Sequence, residues 1–124
     1  VNRSTSRAEA LRSRLAPDAM IYPLDLLEER LHGADLLVNT TGDVLRPHLD
    51  RLPFDRMGPS ATVLDLSYGP SVHSTLAAAR AGGCLARDGV EMLISQGLAS
   101  FTLWTGLEPD PSEVGHLLNG IVDL

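Results

Sequence analysis

Apolar and polar positions alternate along the chain in blocks that predict strands followed by helices. Short apolar runs are typical of buried strands, whereas apolar residues three or four positions apart are typical of helices. The predicted strands cover 1–2, 20–22, 34–38, 61–66 and 84–86, and the predicted helices cover 6–15, 25–31, 73–81, 89–104 and 112–119. Residues 43–60 contain three prolines and predict an irregular segment with one helical turn. This alternation predicts an α/β fold with a parallel sheet and right-handed crossovers.

The sequence also predicts helix caps and an apolar stripe on the longest helix. Ser4 is a predicted N-cap, and Asp88 and Glu91 have the spacing of a capping box. The longest predicted helix has an apolar stripe that includes Phe101 and Trp104. We expect that stripe to face the core.

Two residues inside the predicted strands are polar or reactive. Asp65 interrupts an apolar run that is typical of a strand buried on both faces. We expect a buried carboxylate held by hydrogen bonds, with a functional role as the alternative. Cys84 is the single cysteine, which excludes a disulfide within the chain, and we expect it to be a small buried side chain. The four histidines lack metal-ligand spacing, so no metal site is expected.

The composition indicates one globular domain. The chain has 124 residues, of which 44% are hydrophobic and 21% are charged, a balance that argues against intrinsic disorder. The sequence contains no transmembrane stretch and no leader, so we expect a cytoplasmic protein without a membrane partner. Because the chain opens on Val1 inside an apparent strand end, we interpret it as a piece of a longer protein.

The charge distribution limits the chemistry. All 10 basic residues are arginines, so no mechanism that needs a lysine amine can be completed by this chain. The 16 acidic residues give a net charge of -6, which argues against nucleic-acid binding. Residues 1–16 nevertheless hold four arginines against one glutamate. This cationic end predicts a site for a small anion, with a solvated arginine-rich helix face as the alternative.

The segment 2–7 has the features of an anion site. A strand end followed by a hydroxyl-rich helix start offers backbone amides and a helix dipole, and Arg3 and Arg7 add fork-shaped donors. In dinucleotide folds, an arginine at the end of the second strand accommodates a 2'-phosphate, whereas an acid binds the free hydroxyl. No acid precedes Glu9, so the segment favours NADP over NAD. The glycine-rich loop that should precede this strand is absent, because Gly82-Gly83 follows a helix as its C-cap.

Four blocks of residues, in this order, resemble motifs of shikimate dehydrogenases. They are Asn-Arg-Ser and Arg-Ala within 2–8, Asn-Thr-Thr-Gly at 39–42, Asp-Leu-Ser-Tyr-Gly-Pro at 65–70, and Asp-Gly, Met-Leu, Gln-Gly and Phe-Thr-Leu-Trp-Thr-Gly within 88–106. The last block is the most specific, and the four cover nearly the whole chain. The resemblance implies a partial Rossmann-like parallel sheet flanked by helices, without the first Gly-rich β-α unit.

The same resemblance implies a function. It is the NADP-dependent interconversion of 3-dehydroshikimate and shikimate by an oxidoreductase of aromatic amino-acid biosynthesis. Residues 1–124 would form the carboxyl-terminal NADP-binding domain. In the family, a Lys and Asp pair on a separate, preceding substrate domain transfers the proton. We therefore expect no catalytic residue in this chain and no activity from the chain alone.

The matching positions imply the binding residues. The expected cofactor-binding residues, for the ribose with its 2'-phosphate and then for the nicotinamide end, are Asn2, Arg3, Ser4, Arg7, Leu66 and Gly89. The expected substrate-binding residues are Tyr68 and Gln96. Gly89 and Gln96 also lie seven positions apart, about 20° from each other around a helix, so a flat ring and a hydroxylated ligand could share one side. The alternatives are a packed aromatic ring for Tyr68 and an ordinary surface amide for Gln96.

Three departures from the family pattern leave the substrate open. The loop after Asn39 lacks the usual Gly-Met and continues as Gly-Asp-Val-Leu-Arg-Pro at 42–47. His73-Ser74 stands where the family often has Thr-Pro, and Ser4 replaces Thr. Quinate or a related cyclic hydroxy acid therefore remains an alternative substrate.

Two other function classes compete with this hypothesis. A non-catalytic module could associate with itself, as a homodimer, or with another subunit through an unpaired sheet edge. A different Rossmann enzyme, such as a glutamyl-tRNA reductase-like protein, lacks support from the Tyr-x-Pro and Gln blocks.

Overall fold

The computed structural model describes residues 1–2, 4–110, 112 and 114, apart from the side chain of Asp43. Arg3 and most of the predicted helix 112–119 lie outside the described residues. The helices are α1 (Thr5–Leu15), α2 (Leu27–Leu31), α3 (Arg46–Leu49), α4 (His73–Ala81) and α5 (Val90–Thr105), and the strands are β1 (Leu36–Asn39), β2 (Thr62–Asp65) and β3 (Leu85–Arg87). Turns of 3-10 helix occur at Leu24–Leu26, Gly42–Leu45, Phe54–Arg56 and Pro70–Val72.

The three strands form a parallel sheet in the order β1-β2-β3. Leu36 pairs with Thr62, and Thr62 pairs in turn with Leu85. Each connection between neighbouring strands runs through helical segments, as parallel pairing requires. The predicted α/β class and the parallel sheet flanked by helices are confirmed.

The predicted strand 20–22 is wrong, and the strand end at 1–2 is reduced to a bridge. Asn2 and Pro23 form one isolated parallel bridge, in which the Asn2 N–H donates to the carbonyl of Tyr22 over 3.1 Å. Proline has no N–H with which to extend a ladder, and two short segments alone are too small to form a stable sheet.

The hydrophobic core lies against one face of the sheet. Its members come from the strands, from α2, from α4 with the turn before it, and from the segments that connect the strands, and the least exposed are Val63, Val72, Ala79 and Ala61. Cys84 belongs to this core, as predicted, with its Sγ 3.6 Å from the carbonyl oxygen of Phe54. Burial raises the pKa of the Cys84 thiol above its ordinary value.

The described residues leave the other face of the sheet largely exposed. Leu36 is 59% exposed and Leu85 is 64% exposed, and both share this face with Thr62, their partner in the register. The prediction that β2 is buried on both faces is therefore wrong for this face. Val63 and Asp65 are buried, but Thr62 and Leu64 are only half-buried. The apolar run of β2 predicts burial on two sides, whereas the described residues supply cover for one.

The apolar stripe of α5 does not face the core. No described residue of α5 is buried, Phe101 is 42% exposed, and Trp104 is 81% exposed. The prediction of a core-facing stripe is therefore wrong for this chain, because no other described element covers the stripe.

The predicted caps form in part. Ser4 occupies the N-cap position of α1, but its side chain makes no capping hydrogen bond. The Asp88 carboxylate accepts a hydrogen bond from the Val90 N–H over 3.1 Å. Glu91 pairs instead with Arg87 at 3.2 Å, so the reciprocal half of the predicted capping box is missing. Arg87 is the last residue of β3, and its guanidinium competes with the Asp88 N–H for the Glu91 carboxylate.

Within the described ranges, no helix combines the length and the apolar character needed to cross a membrane.

Candidate functional site

Three loops meet at the carboxyl ends of the parallel strands, where open α/β sheets bind their ligands. The loop after β1 begins at Asn39, whose carbonyl accepts a hydrogen bond from the Leu66 N–H over 3.0 Å. The loop after β2 is joined to the next one, because the Gly89 N–H donates to the Ser67 carbonyl over 2.9 Å. Main-chain hydrogen bonds therefore hold all three loops side by side.

Leu66 and Gly89 are in direct contact. A Cβ atom at Gly89 would lie 2.2 Å from the Leu66 carbonyl oxygen, so only glycine fits at this position. Gly89 is buried and precedes α5, and its carbonyl accepts a hydrogen bond from the Leu93 N–H at 2.9 Å. The two residues predicted for the nicotinamide end thus form one backbone surface at the start of a helix.

A buried carboxylate lies beneath the loops. Asp65 is 0% exposed, and its Oδ2 accepts hydrogen bonds from Arg46 Nη1 at 2.6 Å and from Asn39 Nδ2 at 3.0 Å. Its Oδ1 accepts the Ser67 N–H at 3.0 Å. These contacts confirm the prediction of a hydrogen-bonded structural carboxylate.

The sequence interpretation missed Arg46. Its guanidinium is almost fully buried between β2 and α4, and Nη1 also donates to Thr75 Oγ1 at 3.3 Å. The Thr75 hydroxyl is hydrogen-bonded in turn to Asp50. One sequence signal could have found it: Arg46 is a charged residue between the apolar residues Leu45 and Leu49. It also belongs to the segment 42–47, which departs from the family pattern.

Asn39 shapes the loop after β1. Its side-chain oxygen accepts two hydrogen bonds from Thr41, one from the backbone N–H at 3.0 Å and one from the hydroxyl at 2.7 Å. Asn39 is itself only 6% exposed. The turn at the end of β1 is therefore built on a buried amide that also touches Asp65.

The segment predicted to bind the phosphorylated ribose is a separate unit. Asn2 Oδ1 accepts the Ser4 N–H at 2.9 Å, and the hydroxyls of Ser4 and Ser6 lie 3.3 Å apart. Arg7 is exposed on the first turn of α1. No hydrogen bond between described residues joins this segment to the three loops, and Arg3 lies outside the described part.

The two predicted substrate residues are both accessible. Tyr68 is 51% exposed in the loop after β2, and Gln96 is exposed on α5. No hydrogen bond between described side chains joins them. Nor do the described residues contain a group of three or more His, Cys, Asp or Glu side chains that could hold a metal ion.

The family model of the shikimate 5'-dehydrogenase C-terminal domain matches residues 89–114. Two curated relatives named shikimate dehydrogenase (NADP(+)) align with most of the chain. The one from Cereibacter sphaeroides is 38% identical over 90% of the chain, and the one from Moorella thermoacetica is 39% identical over 94%. The chain spans about two fifths of these relatives, 40% and 42% of their lengths.

Two solved structures of a shikimate 5-dehydrogenase are also similar to this chain. A shikimate 5-dehydrogenase from Thermus thermophilus in complex with shikimate superposes with a TM-score of 0.74 and 33% identity, over 99% of this chain and 44% of that one. Its complex with NADP(H) and shikimate superposes with a TM-score of 0.66 and 34% identity, over 91% and 41%.

Proposed function

We propose, on the premise that this chain belongs to the shikimate dehydrogenase family and corresponds to its carboxyl-terminal portion, that it is the NADP-binding part of an enzyme that interconverts 3-dehydroshikimate and shikimate. The whole chain, 1–124, is then one coenzyme domain of a longer, cytoplasmic enzyme. The solved relative with NADP(H) and shikimate bound supports this assignment.

One observation carries the proposal, the contact between Leu66 and Gly89 where the strands end. Because Gly89 has no side chain, its backbone packs directly against that of Leu66, and any Cβ there would strike the Leu66 carbonyl. Half-buried Leu66 supplies an apolar side chain beside it. These features fit the nicotinamide end of a dinucleotide, and bound NADP would accept a hydride there.

The other end of the coenzyme falls to the segment 2–7. Ser4 lies at the start of α1, where backbone N–H groups and the helix dipole favour an anion. Arg7, one turn later, is exposed and can turn toward a phosphate, and Arg3 precedes the helix. Asn2 orders this start through its hydrogen bond to the Ser4 N–H. We assign the adenosine ribose and its 2'-phosphate to these residues.

The substrate is assigned to Tyr68 and Gln96. A phenol and an amide can both donate to and accept from the hydroxyl groups of shikimate or 3-dehydroshikimate. Oxidation of shikimate releases a hydride and a proton, and this chain has no lysine to take the proton. In the family, a Lys and Asp pair on the preceding substrate domain transfers this proton, so we assign the proton acceptor to that domain of the complete enzyme.

The test compares the complete polypeptide that carries this sequence with residues 1–124 alone. Each is supplied with shikimate and NADP⁺, and reduced nicotinamide is followed by absorbance. We expect turnover by the complete polypeptide and none by residues 1–124. Turnover by residues 1–124 alone would contradict the assignment of the proton acceptor to the substrate domain. An inactive complete polypeptide would contradict the assigned reaction. Quinate in the same assay distinguishes the alternative substrate.

A second candidate is a module that associates with itself or with another subunit. It is favoured by the exposed apolar residues Leu36 and Leu85 on the open sheet face and Trp104 on α5. Light scattering on residues 1–124 tests it, since a homodimer has twice the monomer mass. A chain that stays monomeric at all concentrations would exclude self-association.

A further inference from the structure

The proposed function assigns no role to Arg46, although this residue is buried. It begins α3, within the segment that departs from the family's Gly-Met pattern, and it is 9% exposed. Its Nη1 lies 2.6 Å from Asp65 Oδ2, and Asp65 is 0% exposed. A buried charge of this kind is stable only when it is paired and hydrogen-bonded, so the two side chains fix each other.

Asp65 is hydrogen-bonded to the loops after β1 and β2. Through Oδ1 it holds the Ser67 N–H, and Ser67 in turn accepts the Gly89 N–H. Through Oδ2 it holds the Asn39 amide, which accepts both hydrogen bonds from Thr41. One carboxylate therefore determines the shape of the loops after β1 and β2.

We propose that Arg46 is a positioning residue: by holding Asp65 it fixes the backbone at Leu66 and Gly89 against which the nicotinamide end binds. This inference rests on the proposed function. Arg46 lies behind the loops and is not assigned to the coenzyme or to the substrate. It acts through the Asp65 side chain and the Ser67 backbone, so the loss of Arg46 misplaces the nicotinamide ring without removing a binding group.

The kinetic consequence differs from that of a binding residue. Misplacement of reacting groups by about 1 Å can cost roughly a hundredfold in rate. In the complete enzyme, Arg46→Met should lower kcat by roughly ten- to a hundredfold. The KM for NADP⁺ should change much less, because the 2'-phosphate is held elsewhere. The primary deuterium isotope effect on kcat should rise as hydride transfer becomes rate-limiting.

Arg46→Lys and Arg51→Met complete the design. Asp65 and Thr75 both accept from the single nitrogen Nη1 of Arg46, and a lysine ammonium keeps the charge and has several donors but a shorter reach, so Lys should restore folding and part of kcat. Arg51 lies two residues beyond α3 and is exposed, so its loss should leave both kinetic constants unchanged. The Lys variant also keeps the test decisive where the Met variant folds poorly.

Hydrogen exchange without coenzyme tests the same link directly. In Arg46→Met, the amides of Thr41, Ser67 and Gly89 should exchange at least tenfold faster than in the unsubstituted enzyme, whereas those in the middle of β2 should keep their protection. A merely structural role would reduce the amount of active enzyme but would leave the isotope effect and this local pattern unchanged.

The outcomes separate the two claims. Turnover in the unsubstituted enzyme, with a lowered kcat and a raised isotope effect in Arg46→Met and a partial return in Arg46→Lys, supports the inference. Turnover with unchanged kcat, isotope effect and loop exchange in both variants overturns it alone. No turnover with NADP⁺ and shikimate in the unsubstituted enzyme overturns the proposed function and this inference together.

Discussion

Gly89 and Leu66 approach so closely that a Cβ on the glycine would lie 2.2 Å from the leucine carbonyl oxygen. The contact joins the loop after β2 to the start of α5, and the hydrogen bond from the Gly89 N–H to Ser67 fixes it. A glycine is required here by close approach rather than by a left-handed backbone, since the φ of Gly89 is -83°. The candidate nicotinamide surface therefore depends on the absence of one side chain.

Substitution of Gly89 tests this contact. Gly89→Ala should lower the free energy of unfolding by about 1–3 kcal/mol, because the backbone must move to admit the methyl group. The matched control is Gly97→Ala within α5, where a Cβ would meet no atom within 4 Å. That change should raise stability by about 0.5–1 kcal/mol through helix propensity. Urea unfolding measures both, and equal effects would contradict the close approach.

The buried ion pair makes a stability prediction. Asp65→Asn leaves the guanidinium of Arg46 without its counter-charge and should cost about 3–5 kcal/mol. The double variant Asp65→Leu with Arg46→Met removes both charges and should cost less than the sum of its single substitutions. A double-mutant cycle by urea unfolding measures the coupling. Strictly additive effects would mean that the two side chains do not stabilise each other.

Cys84 gives a prediction of reactivity and pH dependence. Burial raises the pKa of its thiol, so the folded protein binds that proton more tightly than the unfolded chain does. The resulting stability is complete below the unfolded pKa and is lost as the pH rises through the higher folded pKa. Alkylation should be slow in the folded protein and fast in urea. Equal rates in the two states would show that the thiol is accessible.

Trp104 reports on the exposed stripe of α5. It is the single tryptophan and is 81% exposed, so residues 1–124 should emit close to free N-acetyltryptophanamide and should be quenched by acrylamide almost as strongly. Phe101→Ser on the same stripe should cost little stability in this chain, because its ring is 42% exposed. Blue-shifted, poorly quenched emission that persists on dilution would contradict the exposure.

The sequence predicts the elements of this fold better than their environment. The helix at 73–81 and the parallel strands follow from local periodicity, because propensity and capping act within a few residues. The environment of Phe101 and Trp104 does not follow from the sequence. An apolar stripe on a helix predicts that some surface covers it, but it does not say which surface. Arg46 was missed because its partners Asp65 and Thr75 lie 19 and 29 residues away, beyond any local pattern. Conversely, the motifs identify Gly89 and Leu66, and the structure supplies the reason for the pairing.

The central claim is that Arg3 and Arg7 bind the 2'-phosphate of NADP. The coenzyme preference of the complete enzyme tests this claim most directly. The measurement is the ratio of kcat/KM for NADP⁺ to that for NAD⁺ in Arg3→Gln with Arg7→Gln. The control is Arg12→Gln with Arg14→Gln, which removes the same charge from the other end of α1. Charge-assisted hydrogen bonds contribute about 1.5–3 kcal/mol each, so the ratio should fall by roughly a hundredfold or more in the first variant and stay constant in the control. A ratio unchanged in both variants would contradict the account.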